Sequence, residues 1–435
     1  MLYAASCQER RLPQIKLIRP EYADKFRCIG PACEDDCCTN WCVLIDQATF
    51  AKYQSVPAGP LRSLIDQYVE LIPKDSKVAS PTALQTAIRS AYASIRMLPT
   101  GKCPFHTAER LCQIQLEQGE SYLSRTCTTY PRKFHTIDDL EETALSLACP
   151  EAARLVLLDP HLMESAYTSV HQRTWDDTAN LKAMPPLRNY FWVIRKFSID
   201  LIRNRNYPLW QRLFLLGIFA RRLDALARGE LQRDFPTFFR EFSAAIATGS
   251  LRTTMETIPA DLKQQLDILL RMVNLRLGKN QLPPRLLETL QAFVQGIGHR
   301  PDASMESQIS NYAQAWQRHG VPFFLQHPYF LENYLINYIF RNYYPLGASL
   351  YNLAVPSEFA REFSRLATHF ALIKGLLIGV AGFYKEAFST EHAVQTVQTA
   401  FRHFEHCPEF IDQAQELLVS RNMNNAHGLT MLLRN

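Results

Sequence analysis

The chain has 435 residues, 47% of them apolar, enough for two or three domains with a substantial buried core. Its 47 Lys and Arg against 42 Asp and Glu leave a formal charge of +5 without a basic tail or an arginine-rich run, so nucleic acid is not the default partner. The opening MLYAASCQERRLPQIKLIRPEY lacks the unbroken apolar stretch of a secretory signal. The later FALIKGLLIGVAGF is interrupted by Lys374 and is short for a bilayer, so a soluble cytoplasmic protein without membrane insertion is expected. A disulfide framework does not suit that reducing compartment, and 11 cysteines cannot all pair within one chain.

Eight of those cysteines fall between Cys28 and Cys127. The first group, C-I-G-P-A-C-E-D-D-C-C-T-N-W-C, supplies Cys28, Cys33, Cys37, Cys38 and Cys42. Apolar residues then recur at helical spacing over 60–72 and 83–97, predicting two helices that fold the second group back over the first. That second group is Cys103 in C-P-F-H, Cys112 in L-C-Q-I-Q and Cys127 in C-T-T-Y-P-R. In IDDLEETALSLACPEAARLVLL the early acids suit a helix start, with Pro150 interrupting, and Asp159-Pro160 is the first plausible boundary.

Beyond it, DTANLKAMPPLRN reads as a linker. Helical patterns then follow one another over 189–204, 208–228, 232–247, 260–277, 283–297, 304–318, 328–341, 357–383, 391–405 and 408–420. The expected architecture is mainly α: a cysteine-rich, metal- or cluster-binding N-terminal domain over 1–158 and a large all-helical domain over 159–435 that holds a substrate and cofactor cleft. With Gly at only 16 residues and no glycine-rich loop after a strand, a doubly wound cofactor fold is poorly supported.

Thiols concentrated in this way usually hold a metal or an iron–sulfur cluster. One tetrahedral zinc or one four-iron cluster takes four protein ligands, so seven or eight thiols imply two centres, or some that are packed or redox-active. Buried free thiols are the plainer alternative. Neighbouring Cys37 and Cys38 diverge in an extended chain, but in a turn they serve one centre or two adjacent ones. The spacings match neither a tight zinc ribbon nor the ferredoxin run, and they leave the metal open. Trp41, Phe105, Ile114 and Tyr130 supply an apolar shell around the thiols. Arg132 either neutralises a thiolate-rich centre, receives a carboxylate or makes a structural salt bridge.

A second candidate site lies on the helix holding Glu332, Asn333, Asn337 and Arg341. Positions 333, 337 and 341 share a face, which suits either a bound polar ligand or an interdomain hydrogen-bond network. Asn422, Asn424, Asn425 and His427 form a weaker polar cluster near the end of the sequence.

Taken in order, C-x4-C-x3-C-C-x2-W, K-C-P-F, L-C-x-I-Q-x3-G-E and C-x-T-Y-P-R resemble the flagellin lysine-N-methylase family. The first part also resembles cysteine-rich zinc- or iron-chelating domains. The resemblance continues through H-P-Y-F-L-E-N-Y-L-I-N-Y-I-F-R-N-Y-Y-P at His327–Pro345. It implies methyl transfer from S-adenosylmethionine to lysine amines of flagellin and an iron–sulfur cluster of the four-iron type, with zinc as the alternative metal. Cys28, Cys33, Cys37, Cys38, Cys103, Cys112 and Cys127 match the family's cysteine pattern; Cys42 stands outside it, and His106 replaces a usual aliphatic residue.

Because an ammonium has no free lone pair, direct transfer needs a proton acceptor, for which Tyr130 and Glu332 are the catalytic candidates together with Arg132. Asn333, Asn337 and Arg341 are the candidates to hold the methionine part of the cofactor or the target lysine. A cluster is either structural or an electron donor for radical cleavage of the sulfonium. The C-x3-C-x2-C signature of radical use is absent. The competing class is a non-enzymatic metal- or cluster-binding interaction module.

Overall fold

The structure is a computed structural model that describes residues 16–18, 20–39, 41–73, 91–137, 140–163, 178–179, 187, 190–277, 282–300, 302–347, 358–405 and 407–435. Two compact units divide the chain. One takes the described parts of Met1–Lys25, Phe134–Leu145 and Arg154–Asn435; the other takes Phe26–Lys133 and Ser146–Ala153. The chain therefore leaves the cysteine-bearing unit after Lys133 and returns to it for eight residues.

The smaller unit is built on an antiparallel sheet in which Ala93–Ile95 lies between Val43–Ile45 and Val69–Leu71. Val43, Ile45, Ala93 and Ile95 point inward by strand alternation and meet Tyr53, Leu61, Ile65, Phe105 and Ile114 in one core. Asp46 caps the Gln47–Gln54 helix by accepting from the Thr49 amide at 2.8 Å. The helix expected over 60–72 runs only from Pro60 to Tyr68. Val69–Leu71 then pairs as a strand, because the sheet edge offers it a ladder that local periodicity does not reveal. Likewise Ala93–Ile95, expected within a helix over 83–97, is the central strand; residues 83–90 lie outside the described residues.

The larger unit is overwhelmingly helical, and each helix expected from 189 onward has a counterpart in it. Phe359–Tyr384 is its axis and packs against Pro284–Gly296, Leu209–Ala227, Met305–Ala315, Thr390–Ala400, Pro408–Ser420 and Ala426–Leu433. Glycine makes the closest crossing: a Cβ on Gly296 would strike the Gly379 carbonyl, and one on Gly379 would strike the Phe293 ring. Phe359–Ala387 is long and apolar enough to cross a membrane, contrary to the expectation that this segment is too short. However, 83% of its most apolar window is buried inside the protein. Two expected helices end in π-helical segments, Trp316–Gly320 and Phe401–Glu405.

A small sheet accompanies this bundle, in the order Lys16–Ile18, Leu140–Leu145, Arg132–Ile137, Thr178–Ala179. The acidic segment read as a helix start is thus the strand Leu140–Leu145. Pro150 does not interrupt a helix but opens Pro150–Leu157, where its missing N–H would have had no partner. In the expected linker, Thr178–Ala179 is a strand, and residues 180–186 and 188–189 lie outside the described residues.

Candidate functional site

In the smaller unit a tight loop gathers the first cysteine group. The Gly30 amide faces the Cys28 sulfur at 3.4 Å, and the Cys33 amide donates to the Gly30 carbonyl at 3.0 Å, closing a 3-10 turn with Gly30 at φ +56°. The acids that follow turn toward the backbone: Asp35 accepts from the Asp36 amide and Asp36 from the Cys38 amide, each at 2.8 Å. This places Cys37 and Cys38 on a turn instead of an extended strand.

One backbone bond joins the two cysteine groups, from the Cys103 amide to the Cys38 carbonyl at 2.8 Å, beside a bridge between Thr39 and Lys102. Cys112 pairs with His106 and starts the Gln113–Gln118 helix. Cys127 sits in the Arg125–Thr129 helix, where its amide donates to the Ser124 side chain at 3.3 Å. Cys38, Trp41, Cys112 and Cys127 line the apolar core on its partly exposed side. Tyr130 meets Trp41 edge to face with ring centroids 5.0 Å apart. Arg132 donates to the Phe26 carbonyl at 3.0 Å and lies over the Phe26 ring at 4.9 Å. His106 Nε2 stands 3.6 Å from Asp36.

The thiols lie in one another's electrostatic field. Burial pushes Cys103 up to about 12 and Cys127 up to about 11, helped by neighbouring thiols; the hydrogen bond with Cys37, followed by burial, raises Cys38. Burial also raises Cys33, Cys42 and Cys112. Among the described residues no three Cys, His, Asp or Glu side chains are already drawn to coordination distance of a common point. The donor set nevertheless fits a soft metal or an iron–sulfur cluster: several sulfurs are neighbours, and a bound cation would reverse the effect of burial by holding them as thiolates.

Sequence reading missed Cys149. It belongs to this unit, is buried, and is raised to about 12 by burial, with Cys33 and Cys37 among its electrostatic neighbours. Only the C-P-E at the start of the Pro150–Leu157 helix could have signalled it.

In the larger unit, Tyr329–Arg341 is enclosed on all sides, and its polar side chains cross-link other elements. Glu332 receives Arg205 at 2.7–3.0 Å and Arg212 at 2.6 Å. Arg212 is lowered by burial, against the pull of Glu332, and also donates to the Tyr207 and Ile202 carbonyls at 2.6 Å each. The Asn333 amide donates to the Val156 carbonyl at 3.0 Å and the Asp159 carbonyl at 2.6 Å, covering the end of the Pro150–Leu157 helix. Asn337, fully buried, donates to the Leu145 carbonyl at 3.3 Å and accepts from Tyr22 at 3.4 Å. Arg341 pairs with Glu405 at 3.0 Å and lies over Phe401. These contacts form a hydrogen-bond and ionic network within the larger unit. Asn425 caps the Ala426–Leu433 helix by accepting from the Gly428 amide.

A further buried cluster was hidden by reading Leu140–Leu145 as helical. Glu142 takes both Nη groups of Arg195, and His135 Nε2 lies 3.2 Å from the same carboxylate. Burial alone would raise Glu142, but Arg195 and His135 hold it below the usual carboxylate range. Arg195 also lies over the rings of Phe191, Trp192 and Phe340.

A sulfur-rich unit and an α-helical unit with an ionic interior thus define a two-part, mainly helical protein. Residues 195–432 match the FliB lysine N-methylase C-terminal domain, more than half of the chain, and the chain belongs to the FliB lysine N-methylase family. It is 26% identical over 315 residues to a lysine-N-methylase of Salmonella typhimurium, covering 71% of this chain and 73% of that one; a lysine-N-methylase of Salmonella choleraesuis gives the same figures. The flagellar biosynthetic protein FliU of Salmonella muenchen is 31% identical over 152 residues, which cover 35% of this chain and 83% of FliU. No solved structure matches.

Proposed function

We propose that this protein methylates lysine side-chain amines of flagellin with S-adenosylmethionine as methyl donor, and that its thiols hold an iron–sulfur cluster, with zinc as the alternative metal. The observation that carries the reading is the family match over 195–432. Relatives named lysine-N-methylase support the reaction class, and the name of FliU supports the flagellar substrate.

Direct transfer moves the methyl from the sulfonium to the lysine nitrogen: a C–N bond forms, a C–S bond breaks, and the amine's proton passes to the protein or to water. Tyr130, held against Trp41 three residues beyond Cys127, is the acceptor we favour. Glu332 is less suited, since two guanidinium groups already occupy its carboxylate. Asn333, Asn337 and Arg341 would hold the cofactor only by giving up their present partners. When bound, the metal centre would supply either a structural fastening or an electron. On the protein's side, Cys38, Cys103, Cys112 and Cys127 would hold it against the apolar core.

The test is anaerobic purification with metal and sulfide analysis, then incubation with unmodified flagellin and S-adenosylmethionine and mass detection of methyl groups on lysines. Methylated flagellin is expected. No methylation by metal-loaded protein overturns the enzymatic reading, and flagellin binding without methylation would instead favour the interaction module.

A further inference from the structure

The Tyr329–Arg341 helix has two polar faces. One carries Asn333 and Asn337, whose amides are taken up by carbonyls of other elements. The adjoining face carries Tyr334 and Tyr338, four residues apart, with ring centroids separated by 6.5 Å. It meets the Phe359–Tyr384 helix, where the Tyr338 ring lies 5.8 Å from that of His369. On that second helix Glu362, Arg365 and His369 follow one another at helical spacing, and Arg365 Nη1 stands 3.9 Å from Glu362 Oε1. A Cβ on Gly347 would strike the Glu362 carboxylate, so the glycine leaves that group its place.

These five side chains share a deficit. Tyr334 Oη and Arg365 Nε are buried and make no hydrogen bond. Nor, among the described residues, do the Tyr338 hydroxyl, the His369 ring or the Glu362 carboxylate. Arg365 uses only Nη2 for a hydrogen bond, to Asp412 at 3.0 Å. Tyr334, Tyr338 and His369 are 0%, 6% and 5% exposed, which removes them from bulk water. Unmet buried polar groups are destabilising and native interiors hold few, so five in one place point to a ligand that meets them.

The set of groups defines the chemistry of that ligand. Glu362 offers negatively charged acceptors, and its neighbour Arg365 offers a positively charged donor at Nε. Burial raises Glu362 against the pull of Arg365 and lowers His369 to about 3, so the ring is neutral and offers one donor and one acceptor. A simple cation leaves the Arg365 and tyrosine donors without an acceptor, and a simple anion is repelled by Glu362. An ammonium and a carboxylate carried on one carbon meet both charges at once, and the tyrosine rings suit a cationic group further along the ligand.

We propose that Tyr334, Tyr338, Glu362, Arg365 and His369 form a binding site for the α-amino-acid end of a ligand, with its ammonium on Glu362 and its carboxylate on Arg365. This rests on the reading above, in which that end is the methionine part of S-adenosylmethionine. It deepens the reading by seating the methyl donor where Asn333, Asn337 and Arg341 keep their present partners.

The experiment is calorimetric titration of the full chain, purified anaerobically, with S-adenosylmethionine, S-adenosylhomocysteine and 5′-methylthioadenosine, which lacks the amino-acid end. Wild type is compared with Glu362→Gln, Tyr334→Phe and Tyr338→Phe, and thermal midpoints are recorded without ligand. Glu362→Gln is expected to weaken both amino-acid-bearing ligands by about tenfold or more and to leave methylthioadenosine unchanged. The phenylalanine variants remove unmet hydroxyls, so they should bind S-adenosylmethionine about fivefold more weakly while keeping or raising the midpoint. If Glu362→Gln does not fold, Glu362→Asp, which shortens the reach of the carboxylate, takes its place with the same expectation. Wild-type affinity in the folded variants, as when water alone meets these groups, overturns the site and leaves the methyl-donor reading standing. So does an equal loss for methylthioadenosine. A wild type that does not bind S-adenosylmethionine overturns the methyl-donor reading together with this one.

Discussion

Arg195 and Glu142 form a paired contact in the interior of the larger unit: both Nη groups of the guanidinium meet the two oxygens of a carboxylate with no solvent exposure. Three aromatic rings surround the guanidinium, and His135 approaches the carboxylate from the other strand. Removing one partner leaves a buried charge uncompensated. Glu142→Gln is therefore expected to destabilise the protein by about 3–5 kcal/mol, read from urea unfolding. Glu142 is held below its unfolded value, so its contribution is present above the ordinary carboxylate range and is lost as pH falls through the depressed folded value. In the Glu142→Gln variant the acid limb of the stability profile should be shallower than in wild type.

Glu332 separates a structural role from a catalytic one. With Arg212 buried against it, Glu332→Gln should lower the urea midpoint by the equivalent of about 3 kcal/mol. The pH dependence of the methylation rate should keep its wild-type shape. A shifted acid limb in that rate profile would instead return Glu332 to proton transfer.

Asn333 fastens the Tyr329–Arg341 helix to the last turn of Pro150–Leu157 through two carbonyls. Asn333→Ala leaves buried acceptors unmet and should cost about 1–3 kcal/mol, measured by chemical unfolding. Equilibrium binding of S-adenosylmethionine to the folded variant then decides whether the side chain also serves the cofactor: unchanged affinity assigns it to the scaffold.

Lys374 is buried in the axial helix, donates to the Leu433 carbonyl at 2.6 Å and lies 5.0 Å from the Trp316 ring; burial lowers it to about 7. Its unfolded value is near 10.5, so the unfolded chain binds the extra proton between the two values and stability contributed at this position rises with pH across that window. The slope is at most about 1.4 kcal/mol per pH unit. Melting curves from pH 7 to 10 should show wild type gaining on Lys374→Met as pH rises; parallel profiles would mean that Lys374 is charged throughout.

Gly379 and Gly296 set how closely two core helices approach. Gly379→Ala should destabilise by about 1–3 kcal/mol or more, since the obstructing Phe293 ring and backbone belong to a packed helix and cannot yield freely. The reading is the thermal midpoint, with Gly229→Ala excluded as a comparison because its φ of +72° adds backbone strain of its own.

The larger unit was legible because its helices are long and amphipathic, and even their order could be read from 3.6-residue periodicity. The smaller unit was not. Its strands are three residues long, and Val69–Leu71 and Ala93–Ile95 continue apolar patterns that locally suit a helix, so only pairing across the sheet decides them. The candidate sites follow the same division. Cysteine spacing pointed to the thiol group, whereas Cys149 joins the same unit only because the chain returns after Leu145. The spacing of Asn333, Asn337 and Arg341 gave their shared face but not their partners, which come from distant strands, loops and helices.

That return has a consequence for biosynthesis. A ribosome that has made the chain as far as Lys133 has delivered every cysteine from Cys28 to Cys127, but the segment that completes the unit is still to come. Under vectorial synthesis the sulfur-rich unit therefore gains its last eight residues late. It must wait for Phe134–Leu145, which belongs to the other unit, so assembly of the two is interleaved in time even though each has its own core.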